Sequence, residues 1–286
     1  VNETKMPGAI FFPDASLNFA ENLLANADDS PAISAHGEDG RHVIISRAEL
    51  ASKVMALAGW LKAKNVGRGD RVAAFTPNVV EAVITMLATA TLGAVYSSCS
   101  PDFGINGAID RFGQIEPKIL MACDGYLYAG KKIDRIPLVA DLVAKLPSLE
   151  AVLILPYLND SPNYSKISNA ILFKTALHTA TPVKSFTRIG FNDPLYILYS
   201  SGTTGAPKCI VHGAGGTLIQ HLKEHRLHGN LTSGDAMFYF TTCGWMMWNW
   251  MVSALALKSK LVLFEGNPFY PGPERLWQLA EQEEIV

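Results

Sequence analysis

Ten consecutive residues, Tyr199-Ser200-Ser201-Gly202-Thr203-Thr204-Gly205-Ala206-Pro207-Lys208, gather four aliphatic hydroxyls, two glycines and a lysine. Glycine tolerates unusual backbone angles and lets another group approach the main chain closely, while hydroxyls and free amides converge as donors. With the lysine cation added, the run suits a polyanion such as the phosphates of a nucleotide. Each charge-assisted hydrogen bond there is worth about 1.5 to 3 kcal/mol. The spacing is G-x-x-G-x-x-K, not the G-x-x-x-x-G-K-[ST] of a P-loop, and no hydroxyl follows Lys208 to hold magnesium, so a P-loop ATPase or kinase is disfavoured. A polar turn between strands accounts for two hydroxyls and a glycine. It does not account for a ten-residue run that ends in Pro-Lys.

Two other constellations compete for attention. His221-Leu222-Lys223-Glu224-His225 fits the H-x-x-E-H pattern of inverted zinc peptidases, with both imidazoles on one helical face. The pattern is short and has no third ligand at a telling spacing, so a solvated helix face with Lys223, Arg226 and His228 is preferred and no metal ligand is assigned. His212 reads as a strand-end histidine rather than a base. Gly244-Trp245-Met246-Met247-Trp248-Asn249-Trp250 concentrates aromatic and thioether side chains, which on composition alone belong to a core.

The elements that must position these residues follow from periodicity. Ser46 and Glu49 have capping-box spacing, and Leu50, Val54, Leu57, Ala58 and Leu61 recur at helical intervals, which predicts a helix to about Lys64. Arg71 to Phe75 reads as a strand, Thr76-Pro77 as a helix start, Val79 to Leu92 as a helix and Ala94 to Ser97 as a strand. A weaker unit follows: helix Ala108 to Ile115, strand Ile119 to Cys123, helix Leu138 to Leu146 and strand Val152 to Leu155. Residues 156–192 read as a loop-rich seam with a short helix near Ile167 to Leu177. Alternation resumes with strand Leu195 to Tyr199, the hydroxyl-rich loop, strand Cys209 to Val211, helix Gly215 to His228, strand Met237 to Phe240, helix Trp248 to Leu257, strand Leu261 to Phe264 and a last helix. Strands alternating with helices predict an α/β chain with mainly parallel sheets and helices on both faces. The division expected is a first α/β subdomain over 1–155, the seam over 156–192 and the start of a second subdomain, with the loop, over 193–286.

Composition narrows the function classes. The 286 residues carry 24 basic and 26 acidic side chains, a net charge of −2, which gives no electrostatic footprint for nucleic acid. No apolar run reaches the roughly 20 residues of a membrane span. Cys99, Cys123, Cys209 and Cys243 lie far apart without a C-x-x-C pair, and each reads as a reduced, buried thiol of a cytosolic protein. The first residues, Val1 to Pro7, have no signal-peptide layout, and the last helix has no stop signal before Val286, so a longer parent chain is expected.

The run from Tyr199 to Lys208 resembles the phosphate-binding signature of the AMP-forming adenylating enzymes, the superfamily of acyl-CoA synthetases, peptide-synthetase adenylation domains and luciferases. Gly69-Asp70-Arg71-Val72-Ala73, Pro77-Asn78, Gly93-Ala94-Val95 and Phe264-Glu265-Gly266 resemble the acetyl-CoA synthetase branch in order and spacing. Leu17 to Leu23 and Tyr239 to Trp248 are most similar to its acetoacetate–CoA ligases. The similarity covers nearly the whole chain and implies a partial N-terminal domain of the adenylate-forming fold. It also implies an acid–thiol ligase that uses ATP with Mg2+ and coenzyme A on a short keto acid, in lipid and ketone-body metabolism. By the same resemblance Ser200, Ser201, Gly202, Thr203, Thr204, Gly205 and Lys208 would hold the β- and γ-phosphates. Cys209 departs from the glycine usual after this lysine. Trp245, Met246, Met247, Trp248 and Asn249 would line the acyl pocket, Asn249 facing a second oxygen such as a β-keto group. Ser97 to Gly104 corresponds to a loop near coenzyme A. No catalytic residue is assigned, because relatives carry the catalytic lysine, with the adenine and ribose contacts, beyond the equivalent of Val286. The expectation is therefore a truncated form with little activity of its own. The alternatives are an acetyl-, propionyl- or butyryl-CoA synthetase fragment, a non-catalytic nucleotide-binding or interaction module and, remotely, the zinc peptidase.

Overall fold

The computed structural model describes residues 5, 8–25, 27–200 and 205–285. Strand β1 (Ser16–Leu17) leads into helix α1 (Phe19–Leu23), followed by a hairpin of β2 (Pro31–Gly37) and β3 (His42–Ser46). Ser46 then caps α2 (Arg47–Ala63) by accepting the Glu49 N–H, and the periodic Leu50, Val54, Leu57, Ala58 and Leu61 are the residues it buries. Next come β4 (Arg71–Phe75), α3 (Val80–Thr91), β5 (Val95–Cys99), α4 (Ile105–Ile115) and β6 (Ile119–Cys123). A hairpin of β7 (Gly125–Tyr128) and β8 (Lys131–Asp134) precedes α5 (Ile136–Ala144) and β9 (Ala151–Leu155). The stretch read as a seam holds β10 (Ala170–Leu172), α6 (Phe173–Thr179) and β11 (Ile189–Gly190). Strands β12 (Pro194–Ser200) and β13 (Lys208–Gly213) flank the hydroxyl-rich loop. The chain continues through α7 (Ala214–Lys223), ending in a π turn over Glu224–His228, then β14 (Ala236–Phe238) and α8 (Met246–Val252), which tightens into a 3₁₀ turn over Ser253–Leu257. Strand β15 (Lys260–Glu265) and α9 (Arg275–Glu283) complete it.

Seven strands form one sheet in the order β10-β9-β6-β4-β5-β12-β13, parallel throughout except for β13 at the edge. Alternate residues of β4 feed two cores. Val72 and Ala74 pack with Leu57 of α2 and Val83 of α3, whereas Ala73 and Phe75 pack with Phe112 of α4 and Leu142 of α5. The chain is therefore α/β with helices on both faces of a mostly parallel sheet. From β4 it steps to β5 and then returns across β4 to β6, so the direction of winding reverses at the carboxyl ends of β4 and β5. That reversal leaves a crevice where ligands collect in sheets of this kind.

A second sheet, β14-β15-β2-β3, draws on both ends of the sequence: β15 pairs in parallel with β14 and β2, and β3 closes the edge antiparallel. The β2–β3 hairpin has no counterpart in the sequence reading, although the Asp39-Gly40 dipeptide between two apolar runs is a turn signal of the right kind. The β7–β8 hairpin turns on Ala129 and Gly130 at φ +52° and +76°, a pair for which Ala is an uncommon first member, and the sequence reading omits it too. Pro77 does not enter a helix; α3 starts three residues later because Asn78 is engaged elsewhere. Cys99, Cys123 and Cys243 are buried thiols, but Cys209 is exposed because β13 is an edge strand. Among the described residues no helix is long and apolar enough to cross a membrane.

Candidate active site

Strand β12 reaches the rim of the large sheet as a neighbour of β5, and its partner β13 returns antiparallel with Ser200 opposite Lys208. The register places Ser200 and Lys208, which bound the rest of the hydroxyl-rich run, side by side at the end of the β12–β13 hairpin. Ser200 is half-buried at its base, while Gly205 and Lys208 are exposed. Among the described residues, nothing lies within 4 Å of the position a Cβ would take on Gly205. Ser201, Gly202, Thr203 and Thr204 fall outside the described residues.

The base of this hairpin is anchored to α4. Ser97 of β5 donates to the Ile197 carbonyl at 2.8 Å, its Oγ lies 3.1 Å from the Tyr199 hydroxyl, and that hydroxyl approaches the Arg111 carbonyl at 3.2 Å. Burial pushes the Tyr199 phenol well above its usual range, so it stays neutral and serves as a structural donor. Gln114 grips the other strand: its amide donates to the Pro207 carbonyl at 2.8 Å and its oxygen faces the Cys209 thiol at 3.6 Å. Neither Ser97 nor Gln114 is legible as an anchor in the sequence, since both contacts span about a hundred positions or nearly so.

The aromatic segment is held by the next residue of the same strand. Ser98 donates to the Cys243 carbonyl at 2.6 Å, and Gly244 lies so close to the end of β5 that a Cβ would come within 3.4 Å of the Ser100 nitrogen. From there α8 separates its residues by rotation. Trp245, at the cap, is 68% exposed and Met246 43%, with Met247 half-buried. Trp248 and Asn249 are fully buried. Trp248 packs in the main core, stacks on Tyr96 at 6.3 Å and donates from Nε1 to Asn78 Oδ1 at 2.8 Å. The Asn249 amide has no hydrogen-bond partner among the described residues, an uncommon state for a buried carboxamide. Of the five residues assigned to an acyl wall, Trp245 and Met246 are therefore exposed, whereas Trp248 and Asn249 face inward.

Asn78 joins three stretches that are far apart in sequence. Its N–H donates to Glu265 Oε2 at 2.6 Å, its amide approaches the Phe264 carbonyl at 3.4 Å, and its oxygen receives Trp248. Beside it a cavity of about 330 Å³ opens between the ends of β5 and β15, lined by Ser100, Asp102, Tyr128, Thr242, Glu265 and Gly266. Burial, reinforced by the nearby Asp102 and Glu38 carboxylates, pushes the Glu265 carboxyl up to about 7 against the opposing Asn78 hydrogen bond. Gly266, at φ +130°, admits no side chain, because a Cβ would meet the Glu38 stem at 2.5 Å. Glu38 in turn accepts the N–H groups of Ala129, Gly130 and Asn267, which ties the β7–β8 turn to the end of β15.

The H-x-x-E-H pattern does not assemble. His221 and His225 are buried rather than solvated: His221 Nδ1 lies 3.1 Å from the Ser253 hydroxyl, and His225 Nε2 lies 2.8 Å from the Trp250 carbonyl. Glu224 turns along the helix surface to accept from Gln220 at 2.7 Å. The helix rotation that places the two histidines on one face carries the glutamate away from it. His212 sits within β13, half-buried against Tyr196 at 5.0 Å.

Comparison with known proteins matches residues 19–286 to the AMP-binding enzyme family. The chain is 49% identical over 289 aligned positions to the acetoacetyl-coenzyme A synthetase of Rhizobium meliloti (strain 1021), covering 100% of this chain and 44% of that protein. It is 45% identical to the acetoacetyl-CoA synthetase of Mus musculus, covering 95% and 42% respectively. Among solved structures, the acetoacetyl-CoA synthetase from Streptomyces lividans superposes with a TM-score of 0.92 at 42% identity, over 98% of this chain and 43% of that one. The chain thus spans less than half the length of the relatives it matches.

Proposed function

This chain belongs to the AMP-binding enzyme family, and on that premise we propose that it forms part of an AMP-forming acetoacetate–CoA ligase. The observation that carries the reading is the pair Ser97 and Ser98. Two consecutive residues of β5 hold the phosphate hairpin, through Tyr199, and the aromatic segment, through Cys243, side by side at the crevice of the sheet.

In the first step a carboxylate oxygen attacks the α-phosphorus of ATP, the bond to the β-phosphate oxygen breaks, and pyrophosphate leaves. Lys208, Ser200 and Gly205, with Ser201, Gly202, Thr203 and Thr204, hold the β- and γ-phosphates and stabilise the charge that accumulates on the departing pyrophosphate. Mg2+ accompanies ATP and shields the same oxygens. In the second step the thiol sulfur of coenzyme A attacks the acyl carbon, AMP leaves and the thiol proton is lost. Trp245 and Met246 border the acyl end and limit it to a short acid. The buried Asn249 amide, which has no hydrogen-bond partner among the described residues, is the proposed contact for a second acyl oxygen. Four unpaired thiols fit a reducing, cytosolic compartment.

The test is thioester formation by the full polypeptide with acetoacetate, acetate, propionate and butyrate, alongside pyrophosphate release by the 286-residue chain. Acetoacetate is expected to give the highest kcat/KM, and the 286-residue chain alone little turnover. A full polypeptide that bound ATP and made no thioester from any acid would instead be a nucleotide-binding module.

A further inference from the structure

Far from the phosphate hairpin, the second sheet gathers a set of side chains that the ligase reading does not use. Among the described residues, His36, His42 and Glu283 form the one group of three or more His, Cys, Asp or Glu side chains whose donor atoms all lie within 4.8 Å of one another. His36 on β2 faces His42 on β3 in register, and the two rings stack at 4.0 Å with 18° between their planes. Glu283 arrives from the end of α9, with Oε1 at 2.7 Å from His36 Nε2 and 3.7 Å from His42 Nε2. Ser34 Oγ sits at the centre, 3.2 Å from His36 Nε2, 2.8 Å from His42 Nε2 and 2.8 Å from Glu283 Oε1.

Donor atoms bound to a tetrahedral zinc at about 2.0 to 2.1 Å stand roughly 3.3 Å from each other. The two histidine-to-glutamate separations, 2.7 and 3.7 Å, bracket that value, and all three donor atoms lie within 4.8 Å of one another. Lys260 Nζ occupies the far oxygen, Oε2, at 2.8 Å, an outer contact that orients the carboxylate and leaves Oε1 facing the histidines. His42 is the accessible member, with 34% of its side chain exposed. Its ring, now stacked on His36, has to swing so that both Nε2 lone pairs meet one point.

We propose that His36, His42 and Glu283 bind one zinc ion, with a water held by Ser34 in the fourth position. The ion staples α9 to the β2–β3 hairpin across 247 positions of sequence. Closing so long a loop through a metal stabilises the folded state, because the unfolded chain holds no such preformed site. The neighbouring Lys260 cation tempers the affinity.

The experiment is calorimetric titration of ZnCl2 into the metal-free full polypeptide, with thermal unfolding followed in parallel. One zinc per chain and a higher Tm are expected. The exposed position allows His42→Ala without loss of the core, and that variant should bind at least tenfold more weakly and lose the Tm increase. Glu283→Gln should do the same, whereas Cys209→Ser, which removes the exposed thiol, should bind as the parent does. Absence of stoichiometric binding, full binding by His42→Ala, or loss of binding in Cys209→Ser would each overturn the proposal and leave the cluster as a hydrogen-bonded latch.

Discussion

The β12–β13 hairpin and the α7–α8 block both present short contiguous runs rich in functional side chains, yet they use them oppositely. In the hairpin the proposed phosphate site draws on consecutive residues of one run, of which Gly205 and Lys208 are exposed. In the block, each residue is turned by about 100° from the last. Trp245 and Met246 are exposed while Trp248 and Asn249 enter the core, and His221 and His225 are drawn onto Ser253 and Trp250. Contiguity is therefore a poor guide to shared chemistry on a helix, where rotation divides neighbours between surface and interior.

The sharpest way to break this contrast is Trp248→Ala, which removes a fully buried indole together with its hydrogen bond to Asn78 and should cost about 3 to 5 kcal/mol in urea unfolding. A small loss would mean that Trp248 is a pocket wall rather than core. Lys208→Ala should do the reverse. In the full polypeptide, loss of one charge-assisted contact of about 1.5 to 3 kcal/mol lowers the adenylation rate roughly ten- to a hundredfold, with Tm unchanged because the residue is exposed.

A third effect concerns pH. Burial, aided by the facing His225 and His212, pushes His221 down to about 4 from 6.5. Between those values the unfolded chain binds a proton that the folded chain refuses, so stability falls as pH is lowered from 6.5 toward 4. His221→Gln should flatten the difference between unfolding at pH 7 and at pH 5 by about 1 to 2 kcal/mol. An unchanged slope would place the titration elsewhere. The smallest effect is expected for Trp245→Ala, with stability within about 0.5 kcal/mol of the parent and a raised KM for the acid in the full enzyme. If stability dropped as far as for Trp248, the division of α8 into two faces would fail.

Much of the large sheet was legible because its strands and helices are set by local periodicity: the capped α2, the apolar β4 and the buried α3 all lie within two or three residues of their expected bounds. The second sheet was not: β15 is expected as a strand over Leu261 to Phe264, but β2 has no counterpart in the sequence reading, and their pairing joins residues more than two hundred positions apart. Asn78 illustrates the same limit at the site. Its dipeptide with Pro77 resembles a family pattern, but that it binds Glu265 and Trp248 at once depends on where three separate elements end.

The residue types and spacing from Tyr199 to Lys208, and the alternation of strand and helix, determined by themselves what chemistry to look for and what kind of sheet would carry it. Periodicity and loop chemistry act over a few residues and need no distant partner. Only the tertiary structure decided that Ser97 and Ser98 would hold two motifs from one strand, that a run of tryptophans would be divided between surface and core, and that two histidines near the start would meet a glutamate near the end. Those outcomes depend on which surfaces burial brings together, and that is a property of the whole chain.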